Sequence, residues 1–158
     1  MRPYYAALIS HLGQRMVSRD VPEFLALDYL ESADPTLIYL ASPYAHSSAA
    51  VREARLEAVR HVCGGMVNQG KIVMSPLVYL GELAYRGIHP PQGWYAFDLQ
   101  LLARCDELVV LQLPGWEDSK GVLVEIAGAQ ARGMPVRLMP LEEAALPGEI
   151  MSGLQEPQ

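Results

Sequence analysis

Asp98 and Glu125 are the two residues of this chain whose type and placement suit chemistry. Asp98 lies in GWYAFDLQLLARCDELVVLQL and Glu125 in SKGVLVEIAGAQARGM. At helical spacing Asp98 shares a stripe with Trp94, Tyr95, Leu101, Leu102 and Cys105, and Glu125 shares one with Val122 and Ala129. A lone carboxylate in an apolar face is costly, and a folded protein holds one there for the acid–base or covalent work of a perturbed carboxylate. Each has a plainer reading. Glu125 faces solvent if its helix is rotated by one residue, and Asp98 serves structure if it caps a neighbouring loop.

The elements that must position this pair alternate between strands and helices. Leu37–Ala41 is a short, wholly apolar run, as a central parallel strand requires. The loop Ser42–His46 leads to a long helix with Val59, Val62, Cys63, Met66 and Val67 facing inward, ended by Gly70. A strand over 71–75, a helix over 77–87 and a Pro-rich loop over 89–93 follow. The Asp98 helix, a strand over 107–113, the Glu125 helix and a strand over 135–138 complete the pattern. This predicts an α/β fold, a parallel sheet covered by helices on both faces, with strand order about 2-1-3-4.

In such a sheet a ligand sits beyond the carboxyl ends of the strands, where the strand order reverses. The loops over 42–46 and 114–119 are then neighbours. They gather Tyr39, Ser42, Tyr44, Trp116, Ser119 and Glu125 around one cleft, with Trp94 at its flank, and Ala41 and Gly121 are further candidate binding residues. Ser119 is the expected cap of the Glu125 helix, six residues before the carboxylate. Trp94 and Trp116 either stack on a planar ligand or pack as core aromatics, and Tyr39 is either core or part of the site. Asp106 and Glu107 read as solvated residues at a helix-to-strand junction.

Outside this region, residues 1–35 read as a separate helical extension. Tyr4, Tyr5, Leu8, Ile9, Leu12 and Met16 form one apolar stripe, and Asp20-Val21-Pro22-Glu23 has the form of a second helix start. Residues 36–146 form the α/β domain, and 147–158 read as a flexible Gly/Pro/Gln tail.

Composition narrows the partners. In 158 residues the apolar share is 51% and the charged share 19%, which marks a globular chain with a real core. A net charge of -6 without a Lys/Arg cluster argues against a nucleic-acid polymer, though not against a single nucleotide held at a helix N-terminus. Cys63 and Cys105 have neither metal nor redox spacing and read as small buried hydrophobes. No metal and no cofactor are expected. The N-terminus is broken by Ser10, His11, Gln14 and Arg15, so no signal peptide or membrane span is expected, and a cytoplasmic location is the default.

Three segments carry a family resemblance. Leu37-Ile38-Tyr39-Leu40-Ala41-Ser42-Pro43-Tyr44, Tyr95-Ala96-Phe97-Asp98-Leu99 and Ser119–Ala129 are similar, in order and spacing, to the signature regions of nucleoside 2-deoxyribosyltransferases. That group also contains deoxynucleoside-monophosphate N-glycosidases. The resemblance spans about Leu37 to Leu138 and implies a flavodoxin-like fold and cleavage of the bond between a nucleobase and a (deoxy)ribose. On the matching positions Glu125 would attack the anomeric carbon, Asp98 would serve the base as proton donor or binding group, and Tyr39 would orient Glu125. Two carboxylates about 5 Å apart suit a retaining route through a covalent glycosyl-enzyme.

The resemblance also implies a small-molecule nucleoside or nucleotide partner and a homo-oligomer. Ser119 matches the nucleotide-type hydrolases rather than the transferases with an acid there, so Ser42, Ser119 and the helix N-termini are candidates for a 5′-phosphate, with Lys120 as a candidate cation. The tail has no counterpart to the chain end that completes such sites. The expected function is therefore N-glycosidic bond cleavage by transfer or hydrolysis. Its alternatives are a deoxynucleoside 5′-monophosphate N-glycosidase and a nucleotide-binding module without catalysis.

Overall fold

The structure is a computed structural model that describes residues 36–88 and 90–155. The helical extension expected over 1–35 lies outside the described residues. Strands β1 (Leu37–Ala41), β2 (Ile72–Met74), β3 (Glu107–Leu111) and β4 (Val136–Met139) form one parallel sheet in the order β2-β1-β3-β4. Helices α1 (Ala49–Asn68), α2 (Pro76–Tyr85), α3 (Trp94–Leu102) and α4 (Lys120–Ala131) alternate with the strands, and α5 (Gly148–Gly153) follows β4. The expected flavodoxin-like α/β architecture and strand order are both present.

The central strands are apolar throughout because both of their faces are covered. Alternate residues turn to opposite sides. Ile38, Leu40, Val109 and Leu111 join Ala58, Val59, Val62 and Met66 of α1 on one face. Tyr39, Ala41, Leu108 and Val110 join Leu102 of α3 and Val122 and Ala129 of α4 on the other. Leu40, Leu108 and Leu111 are fully buried, each worth about 1.5–3 kcal/mol of apolar transfer. This alternation sends the Tyr39 side chain toward the two helices that carry Asp98 and Glu125.

Local signals set the boundaries. The Ser48 hydroxyl accepts from Val51 N at 3.5 Å and starts α1. Gly70, at φ 77°, ends the helix: its N–H donates to Val67 O, and Lys71 N donates to Met66 O at 3.0 Å. Asp106 is exposed as expected, but it also fastens β3 to β1. Its Oδ2 accepts from Leu37 N at 2.9 Å, while its own N–H donates to Leu37 O at 2.8 Å.

Two expectations are corrected. Val67 is 59% exposed rather than inward, because it stands one residue, about 100° of helix, past the buried Met66. The stretch from 147 is not a loose tail over 148–153. It forms α5, whose Ile150 and Met151 pack with buried Leu154 on the α1 side of the sheet. A Cβ on Gly153 would stand 2.9 Å from Ala54 Cβ, so the missing side chain lets the end of α5 approach α1 closely. The Gly/Pro/Gln composition hid an apolar spacing of three to four residues, the periodicity of a helix face.

Candidate active site

Glu125 occupies the second turn of α4, above the Tyr39 face of β1. The Tyr39 hydroxyl donates a 2.6 Å hydrogen bond to Glu125 Oε1. Tyr39 itself is fully buried. Burial, together with the Glu125 charge and hydrogen bond, pushes its hydroxyl far above the ordinary tyrosine range, so it stays a donor. Burial pushes the Glu125 carboxyl up to about 7; the Tyr39 bond opposes that rise and the nearby Asp98 charge adds to it. The solvent-facing reading of Glu125 is thereby removed.

Asp98 sits in α3, which starts at Gly93 with φ 82° and presents Trp94 and Phe97 edge to face, 6.2 Å apart. Burial pushes the Asp98 carboxyl up to about 6. Its Oδ1 is buried and has no hydrogen-bond partner, so Asp98 is not spent on capping through that oxygen. The α3 and α4 helices approach closely at Gly128, where a Cβ would meet Leu99 Cδ2 at 2.5 Å. That close contact sets Asp98 and Glu125 on facing helices over the same strand.

Both carboxylates line a cavity of about 500 Å³. Its floor is Leu40, Ala41 and Ser42 at the carboxyl end of β1, with Tyr44 and Ala45 from the loop that follows. Ser75, Pro76, Leu77, Leu80 and Gly81 form one wall, Trp94, Tyr95 and Asp98 a second, and Ser119, Gly121 and Glu125 a third. Tyr95 lies over the first turn of α4, its Cε1 3.7 Å from the position a Gly121 Cβ would take. Among the described residues, the only Asp, Glu, Lys or Arg side chains lining the cavity are Asp98 and Glu125.

Most residues expected at the cleft are therefore brought together: Ala41, Ser42, Tyr44, Trp94, Asp98, Ser119, Gly121 and Glu125 all line it. Tyr39 lies beneath, hydrogen-bonded to Glu125. Trp116 does not line the cavity; it begins the short 3-10 turn Trp116–Asp118 and packs against the Tyr39 side of the core. It follows Gly115, which is in the left-handed conformation at φ 80°.

Two residues were not anticipated. Ser75 follows β2 and precedes Pro76 at the first position of α2, a serine–proline helix start at a strand end that the switch-point argument could have flagged. Arg55 is a buried guanidinium in the middle of α1. Its Nη1 donates to Ala45 O at 2.8 Å and its Nη2 to Pro114 O at 2.7 Å. One side chain thus ties the loop after β1 to the loop after β3, and burial lowers its pKa. Nothing in the helical pattern distinguishes Arg55 from a solvated arginine, because its partners are distant backbone carbonyls.

Among the described residues, no group of three or more His, Cys, Asp or Glu is placed to hold a metal ion, and no helix is long and apolar enough to cross a membrane. Cys63 and Cys105 are free thiols, and burial pushes each up to about 11, as inert packing residues require.

A family model described as a domain of unknown function, DUF1937, matches residues 36–141. The chain belongs to that family. The match runs from the residue before β1 to just beyond β4, so the DUF1937 domain contains Tyr39, Ser75, Asp98 and Glu125 and excludes α5. The comparison with curated proteins found no match.

Proposed function

We propose that this DUF1937 domain cleaves the N-glycosidic bond of (deoxy)nucleosides through a covalent glycosyl-enzyme, in the manner of the nucleoside 2-deoxyribosyltransferases its three segments resemble. The observation that carries this reading is Glu125. It is a part-buried carboxylate held by Tyr39 at one oxygen, facing a cavity that also holds Asp98 with an unpartnered oxygen.

The geometry supports the following roles. Tyr39 occupies Oε1, which leaves Oε2 of the ionised Glu125 to attack the anomeric carbon. As that C–O bond forms, the C–N bond breaks and its electron pair passes to the base nitrogen, which takes a proton from neutral Asp98. Water or a second base then attacks the same carbon and yields its proton to Asp98, and the Glu125 carboxylate is released. A carboxyl raised to about 6 carries a proton near neutral pH far better than an ordinary aspartate.

Incubation with deoxynucleosides and deoxynucleoside 5′-monophosphates, with and without a second free base, tests the reading. Base release or exchange is expected, with Glu125→Ala inactive and a glycosyl adduct found on Glu125 by mass spectrometry. Full activity in Glu125→Ala would sink it.

A second reading, hydrolysis of a nucleoside 5′-monophosphate, draws on Ser42 and Ser119. The Ser42 Oγ is buried without a hydrogen-bond partner, and Ser119 caps α4 without a side-chain hydrogen bond, so neither hydroxyl is committed to a cap and both remain candidates for a phosphate contact. The acidic lining favours the uncharged nucleoside. Turnover of the monophosphate alone would reverse that preference. A homo-oligomer belongs to the same proposal; light scattering that finds a monomer at all concentrations would remove it.

A further inference from the structure

Ser75 is the most enclosed polar residue of the cavity lining, 4% exposed, and its Oγ has no hydrogen-bond partner. The hydroxyl stands where helix caps stand. Ser75 O accepts from Tyr79 N at 3.1 Å to open α2, yet the side chain caps nothing. A buried serine hydroxyl that caps nothing is uncompensated, and a ligand group that reaches it can supply what is missing.

Its position says which part of a ligand it would meet. Met74 pairs with Tyr39, so Ser75 stands at the level of the last residues of β1, on the β2 side. Glu125 belongs to the helix after β3, on the other side of β1 in the strand order. A substrate whose anomeric carbon meets Glu125 therefore extends toward Ser75 with its base. The wall beside Ser75 is apolar, Leu77 and Leu80 of α2, and Trp94 of α3 also lines the cavity. Apolar and aromatic walls around one enclosed hydroxyl suit a flat heteroaromatic ring with a polar edge.

We propose that Ser75 is a specificity-determining residue, its hydroxyl hydrogen-bonding the edge of the nucleobase remote from the glycosidic bond. This rests on the N-glycosidase reading and adds a base-reading contact on α2's side of the cavity. A hydroxyl buried for one partner discriminates strongly, because a base that cannot pair with it leaves the group desolvated and unbonded.

The test compares wild type with Ser75→Ala and Ser75→Cys on deoxyadenosine, deoxyguanosine, deoxyinosine, deoxycytidine and thymidine. The ratio of kcat/KM between the best and the worst base should shrink about tenfold in both variants, the effect of one lost hydrogen bond. Melting temperature without ligand should be unchanged or higher, since the hydroxyl has no partner to lose. Titration calorimetry of the free bases gives a readout independent of turnover, with the preferred base bound about tenfold more weakly by Ser75→Ala. An unchanged ratio with normal wild-type turnover overturns the role of Ser75 and leaves the enzymatic reading standing. Ser75-dependent base binding without turnover does the reverse. A wild type that neither turns over a nucleoside nor binds a base overturns both.

Discussion

The Tyr39 hydroxyl and the Glu125 carboxylate, 86 residues apart in the chain, meet at 2.6 Å across the boundary between the central strand and α4. The bond fixes one carboxylate oxygen and orients the other. It also moderates the Glu125 pKa, because a donor to the charged form favours ionisation against the burial that opposes it.

Tyr39→Phe should therefore act through Glu125 rather than through substrate contact. Without the donor the Glu125 pKa rises further, and the acidic limb of the pH–rate profile moves to higher pH. At neutral pH kcat/KM should fall by about 10- to 100-fold, the range for a hydrogen bond to a charged group. Part of the loss should return as pH is raised and Glu125 ionises. A uniform loss at every pH would mean that Tyr39 contributes packing alone.

The two carboxyls set the pH dependence in opposite senses. In the proposed reaction the nucleophile Glu125 works ionised, so rate should rise as pH climbs through about 7; the proton donor Asp98 works neutral, so rate should fall as pH climbs through about 6. The product is a bell in kcat/KM with its maximum between those values, in which only a minor fraction of the enzyme is in the reacting form. Asp98→Asn should remove the alkaline limb that belongs to Asp98. Substrates with activated leaving groups, which need no proton, should suffer least from that change. A wild-type profile flat from pH 5 to 8 would refute both assignments.

Stability should carry the opposite sign of the usual carboxylate. Glu125 is raised from 4.5 to about 7 on folding, so the folded state binds the proton more tightly than the unfolded state. Wild-type stability accordingly falls as pH rises from about 4.5 to about 7, by about 3 kcal/mol for this group alone. Glu125→Gln removes the buried charge and keeps an acceptor for Tyr39. Urea unfolding should find the two proteins nearly equal at pH 4.5 and the variant more stable by up to about 3 kcal/mol at pH 8. Equal differences at both pH values would show that Glu125 is not held in a desolvated place.

Much of this was legible because period and punctuation agree. The apolar run over 37–41, the stop at Gly70 and the serine before α4 each point to one element type, and their alternation leaves few topologies. Asp98 and Glu125 stood out because a carboxylate violates an apolar stripe. Ser75 and Arg55 violate nothing locally. A serine before a proline reads as a helix start, and an arginine in a long helix reads as solvated, so their roles emerge only once distant strands and loops meet. Trp116 stands in the expected loop, but it packs half-buried against the Tyr39 side of the core and does not line the cavity, one of the two readings the sequence left open.

Arg55 offers a test of how the cleft is held. Its guanidinium spans Ala45 O and Pro114 O, and the loops carrying those carbonyls also carry Tyr44 and lead to Ser119. Both loop residues are exposed, so water can replace a lost donor, and stability should fall by only about 1–3 kcal/mol in Arg55→Met. Activity should suffer more than stability does, because two independent loops then set the distance between Ser42 and Ser119. Lysine is the informative control. A single ammonium lacks the planar fork that reaches two carbonyls in different directions, so Arg55→Lys should recover charge without recovering kcat/KM. Wild-type activity in Arg55→Lys would show that burying a cation, rather than joining the two loops, is what this position requires.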